Sequence, residues 1–110
     1  MKDVNSVHSL EEIQTTINES KLTLLYISRP DCSVCRGLLP QVKELLYEFP
    51  SVVSIHVDAD EIPEIAGEYS IFTVPVVLVF VEGKEMIRKA RFVPIGELRK
   101  QLEKVAEFMQ

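Results

Sequence analysis

Leu10, Ile13 and Ile17 recur at steps of three and four among polar neighbours, and Ser9 with Glu12 makes a capping box, which predicts a helix over about 9–20. Leu22 to Ile27 is mostly apolar with a β-branched end, the composition of a buried strand. Arg29-Pro30-Asp31 breaks it. Val34, Leu38, Val42, Leu45, Leu46 and Phe49 then share one helical stripe, so a second helix is predicted over about 33–49, kinked by Pro40 and closed by Pro50-Ser51.

Val52 to Val57 reads as a strand, and Asp58 to Tyr69 holds a short helix that Pro63 helps to start. Val76 to Val81 is uninterrupted apolar, the mark of a central strand covered on both faces. Glu82-Gly83-Lys84 is a hairpin turn, after which Glu85 to Val93 returns antiparallel at an edge. Ile95, Leu98, Leu102, Val105 and Met109 alternate steps of three and four, predicting a C-terminal helix packed on the sheet. Asp3 to Val7 carries a weak first-strand signal. The order α-β-α-β-α-β-β-α predicts an α/β fold, a central mixed β-sheet of four to five strands flanked by α-helices on both faces. No repeat, linker or biased stretch interrupts residues 1–110, which are expected to form a single domain.

Composition narrows the function classes. With 46% hydrophobic and 26% charged residues, disordered and collagen-like readings fall away. Lys+Arg 12 against Asp+Glu 17 leaves a formal charge of −5, which argues against nucleic acid as a partner. Met1 to Gln14 lacks the apolar core of a signal peptide. The greasy stretch Ile71 to Val81, interrupted by Thr73 and Pro75, falls short of the roughly 18 apolar residues that a membrane span needs. A cytoplasmic monomer without membrane contact is the expectation.

The chemistry lies in the two cysteines, Cys32 and Cys35. Closing so short a loop contributes only about 2 kcal/mol in the chain-entropy model, so the pair has little value as a staple. Its place is more informative, because a strand has just ended and a long helix begins. Unpaired N–H groups and the partial positive charge of a helix start stabilise a thiolate, which lowers the thiol from its ordinary value of about 8.5. Spacing of i and i+3 puts both sulfurs on one face of the first turn. Cys32, nearer the loop, is expected to attack, and Cys35, one turn in, to resolve the mixed disulfide. Two plainer readings stand beside this one. The pair can be half of a zinc site, supplemented by His8 or His56, or two inert core cysteines.

Taken together, four features make the chain resemble the thioredoxin family. They are Leu24-Leu25-Tyr26-Ile27 leading into Cys32-Ser33-Val34-Cys35, Pro40 five residues past the second cysteine, Thr73-Val74-Pro75, and the Gly83 hairpin before a last helix. The likeness runs from about Val4 to Met109 and implies the thioredoxin fold. It also implies a disulfide oxidoreductase with no cofactor beyond its own Cys32–Cys35 disulfide. Its partners would be protein disulfides, with an external reductase or low-molecular-weight thiol as electron donor. By the same resemblance, Pro75 is cis beside the cysteines, and Thr73, Val74 and Pro75 bind substrate, Val74 offering its backbone to an extended segment.

The departures from the family bear on rate and partner choice. A buried acid often stands six residues before the first cysteine, to handle the proton of the resolving thiol; here that residue is Tyr26, a poor base at neutral pH. Asp31 replaces a common tryptophan, Ser33-Val34 replaces Gly-Pro, and Arg91 or Phe92 takes the place of a glycine after the last strand. Asp31 beside Cys32 is expected to raise the thiol pKa, with Arg29 and Arg36 in position to offset it.

Other residues have structural readings. His56 faces away from Val53, Ile55 and Val57 and reads as a satisfied structural histidine, and His8 as solvated. Asp58, Asp60, Glu61 and Glu64 suit a solvated helix start. Lys84, Arg88, Lys89 and Arg91 suit charge protection of an edge strand. The leading functional reading is therefore a thiol–disulfide oxidoreductase that reduces protein disulfides. Its rival is a non-catalytic interaction module of the same fold with regulatory or vestigial cysteines.

Overall fold

The computed structural model describes residues 5–6 and 8–108. In chain order the elements are β1 (Asn5–Ser6), α1 (Leu10–Glu19), β2 (Leu22–Ser28), α2 (Ser33–Leu46), β3 (Val53–Asp58), α3 (Ile65–Tyr69), β4 (Val76–Val81), β5 (Lys84–Ala90) and α4 (Ile95–Phe108). The five strands form one sheet in the order β1-β3-β2-β4-β5. β1, β3 and β2 run parallel, and β4 and β5 run antiparallel to their neighbours. The weak strand signal is borne out at Asn5–Ser6. The remainder of that signal, and Met109, lie outside the described residues.

Strand alternation sorts the core into two layers. Leu22, Leu24 and Tyr26 of β2 and Val77 and Val79 of β4 pack against Leu38, Val42, Leu45 and Leu46 of α2 and Leu98 and Leu102 of α4. Their neighbours Leu25, Ile27, Val76, Leu78 and Phe80 face the other way, toward Ile13 and Ile17 of α1 and Ile65 of α3. β2 is buried along its whole length, as a strand covered on both faces must be.

Two boundaries differ from the sequence expectation, each for a local reason. α2 ends at Leu46, not Phe49, because Tyr47, Glu48 and Phe49 donate to carbonyls three residues back and tighten the chain into turns. The short helix expected within Asp58–Tyr69 is found at Ile65–Tyr69, two residues after Pro63. A carboxylate oxygen of Asp58 accepts the N–H of Asp60 at 2.8 Å, and this local bond competes with a helical start. β5 stops at Ala90 because Arg91 turns to φ 68. The hairpin before β5 has a two-residue turn, with φ 49 at Glu82 and φ 84 at Gly83, the type I′ signs that match strand twist.

Candidate active site

β2 ends at Ser28, and four residues later Cys32 caps α2. Cys32 sits in an extended conformation, and its sulfur accepts the N–H of Cys35 at 3.1 Å, one of the donors that a helix start leaves free. Cys32 and Cys35 are joined as a disulfide with their Cα atoms 5.2 Å apart. Cys32 is partly exposed, whereas Cys35 is 1% exposed. An attacking sulfur needs access and a resolving sulfur needs cover, so the pair has the asymmetry that disulfide exchange uses. Among the described residues no group of three or more His, Cys, Asp or Glu side chains is placed to hold a metal ion, so the four-ligand set of a zinc site is not assembled there.

Tyr26 lies beneath the helix, fully buried, and its hydroxyl donates to the carbonyl oxygen of Cys35 at 2.6 Å. Burial pushes the phenol up to about 12, so it is a donor and no base at neutral pH. Pro40, inside α2, brings no N–H for the carbonyl of Arg36 in the same part of the helix.

The charged residues near the motif are directed elsewhere. Arg29 pairs with Asp60 at 3.2 Å, and a guanidinium nitrogen of Arg36 donates to the carbonyl of Pro30. Asp31 lies exposed in the turn, and neither arginine forms an ion pair with it among the described residues. The offset expected from those arginines is thus not made by direct contact.

Register brings Thr73-Val74-Pro75 to the same end of the sheet. Ile27 of β2 is paired with Val76 of β4, so Pro75 flanks the strand end from which the cysteine loop emerges. The Val74–Pro75 bond is cis, in agreement with the resemblance. Thr73 and Val74 are half-buried and Pro75 is buried. Arg91, beyond β5, donates its N–H to the carbonyl of Pro75 at 2.6 Å and so closes this edge. Val34 in the first turn of α2, Phe72 before Thr73, and Phe92 after Arg91 are large apolar side chains left exposed, Phe72 at 92%. Nothing in the helical or strand periodicity singles out the two phenylalanines.

Behind the disulfide is a cavity of about 220 Å³ whose lining includes Tyr26, Ser28, Cys35, Arg36, His56 and Asp58. His56 is cross-strand neighbour to Tyr26, with ring centroids 5.3 Å apart. A ring nitrogen of His56 lies 2.6 Å from the hydroxyl of Ser28. Its structural reading holds as far as this partner goes, but sequence gave no sign that it shares a cavity with Cys35.

A Cys-x-x-Cys disulfide at the first turn of a helix, on a mixed sheet covered on both faces, defines a thiol–disulfide oxidoreductase. The thioredoxin family profile matches residues 4–104. The chain is 44% identical over 105 residues to a thioredoxin-like protein, YdfQ, of Bacillus subtilis, covering 96% of this chain and 94% of that protein. A thioredoxin structure from Trypanosoma brucei brucei superimposes with a TM-score of 0.85 at 26% identity, covering 96% of this chain and 92% of the other. A Plasmodium falciparum thioredoxin structure has a TM-score of 0.84 at 24% identity, over 92% and 98% of the two chains, and shows the shared fold. The chain belongs to the thioredoxin family.

Proposed function

We infer that this protein reduces disulfides in protein substrates through a Cys32/Cys35 dithiol–disulfide cycle. The observation that carries the reading is the Cys32–Cys35 disulfide at the start of α2, with one sulfur partly exposed and the other covered. In the reduced form, the Cys32 thiolate attacks one sulfur of a substrate disulfide. A mixed disulfide forms, and the second substrate sulfur leaves with the electron pair. Cys35 then attacks Cys32, the bond to the substrate breaks, and the substrate departs with two thiols while the protein keeps the disulfide. Two electrons from an external reductase or a low-molecular-weight thiol restore the dithiol.

An extended substrate segment is held by the backbone of Val74, with Thr73 and Pro75 alongside. Val34, Phe72 and Phe92 give that segment an apolar rim. The working state is a cytoplasmic monomer; among the described residues no helix is long and apolar enough to cross a membrane.

The test is turnover of a protein disulfide with a reductase system, wild type against Cys32→Ser. Wild type turns over, and the variant falls by on the order of 10³-fold, as expected when the nucleophile that attacks the substrate is removed. Equal rates would overturn the reading in favour of a non-catalytic docking module. Cys35→Ser is expected to accumulate substrates in mixed disulfide with Cys32.

A further inference from the structure

The resolving step requires the buried Cys35 thiol to lose a proton, and the position beneath it is Tyr26, whose hydroxyl already donates to the Cys35 carbonyl. The arginines on the cavity wall, Arg29 and Arg36, present only donors and accept nothing. Two bases are left on that wall, His56 and Asp58. Asp58 has one carboxylate oxygen engaged by the N–H of Asp60 at 2.8 Å. His56 has an imidazole held in place through Ser28 at 2.6 Å. At about 220 Å³ the cavity admits water, at roughly 30 Å³ each, and its polar walls supply the partners that a bridging water needs.

We propose that His56, positioned by Ser28, accepts the proton of the Cys35 thiol across this cavity when Cys35 resolves the mixed disulfide. In that step the Cys35 S–H proton passes to the imidazole, and Cys35 Sγ bonds to Cys32 Sγ. The bond from Cys32 Sγ to the substrate sulfur breaks, and its electron pair leaves with the substrate thiolate, which takes a proton from solvent. His56 then returns its proton to water.

The surroundings of His56 suit a neutral, accepting ring. Burial is the largest influence on its pKa and lowers it from 6.5, Lys43 on α2 lowers it further, and Asp58 on its own strand opposes both. β2 presents Tyr26 and Ser28, and α2 adds Cys35 and Arg36. Ser6 of β1 stands opposite in the register.

This deepens the reductase reading and rests on it, so the test isolates resolution from attack. Cys32 is loaded chemically with a chromogenic aromatic thiol as a mixed disulfide, and its release is timed in a single turnover across pH. Wild type is compared with His56→Gln, whose amide extends as far as the Nε2 that meets Ser28, with the shorter neutral His56→Asn, and with Asp58→Asn. The expected result is release slowed on the order of 10²-fold at neutral pH in the His56 variants, the scale of general-base catalysis. Their pH profile should move up toward the ordinary thiol value of about 8.5. The rate at which reduced Cys32 attacks a fresh disulfide should not change. Profiles superimposed on wild type, or a loss carried by Asp58→Asn instead, would overturn the proposal. Failure of the reductase reading shows separately, as wild type that resolves the loaded thiol but does not turn over protein disulfides.

Discussion

The hydroxyl of Tyr26 donates to the carbonyl of Cys35 at 2.6 Å, tying the floor of the sheet to the first turn of the helix that bears the disulfide. Where family members often hold an acid, this chain holds a mechanical tie. Removing it with Tyr26→Phe is expected to cost about 1–2 kcal/mol, because the bond is buried and the carbonyl loses a partner. Urea unfolding checks this, and an unchanged midpoint would show that the bond contributes nothing.

The same phenol sets an alkaline limit. Burial pushes its pKa up to about 12 from the ordinary 10.0, so the native state holds the proton more tightly. That contribution is complete below pH 10 and is lost as pH rises through about 12, roughly 3 kcal/mol in all. Burial shifts Tyr69 in the same direction. The stability gap between wild type and Tyr26→Phe should therefore narrow across this window, and a constant gap would refute the assignment.

His56 sets an acidic limit. Its pKa is lowered in the folded state, so the unfolded chain binds the proton more readily. Stability is full above 6.5 and declines as pH falls. Glu85, held below its usual 4.5 mainly by its hydrogen bond to Arg88, adds a further decline only at lower pH. Melting curves between pH 6.5 and 4.5 should thus slope less for His56→Gln than for wild type, and parallel slopes would contradict this.

Arg91 occupies the left-handed region at φ 68, where a β-carbon is strained. The usual order of alanine above glycine should invert there. Arg91→Gly is expected to be more stable than Arg91→Ala by about 1 kcal/mol. Chemical denaturation of the pair decides it, and alanine matching glycine would mean that the strain is not felt.

Thr23 is 0% exposed, and its hydroxyl has no hydrogen-bond partner among the described residues. Thr23→Val keeps the shape and removes a desolvated hydroxyl, so a gain of about 1 kcal/mol is expected. A lower melting temperature would reveal a partner for that oxygen.

The fold was largely legible because burial here follows sequence pattern. The mostly apolar run of β2 and the unbroken one of β4 are strands covered on both faces, and Leu98 and Leu102 lie on the predicted stripe of α4. The end of α2 was less legible, since the turns after Leu46 are settled by single hydrogen bonds. The cysteine pair was legible because its chemistry is local. The place of His56 beside Cys35 depends on the β2–β3 register, which sets Tyr26 against His56 and which no local pattern encodes. The bond from Tyr26 to Cys35 likewise exists only once α2 lies over β2.

The sheet divides the interior into two cores that share strands but no side chains. Substitutions on the outlying helices of opposite sides, such as Ile13 and Leu102, share no cluster, so their energies should sum to within about 0.5 kcal/mol. The layer of α1 and α3 touches the disulfide end of the sheet through Val74, which packs against it, so changes in that layer reach the site by way of the Val74–Pro75 segment.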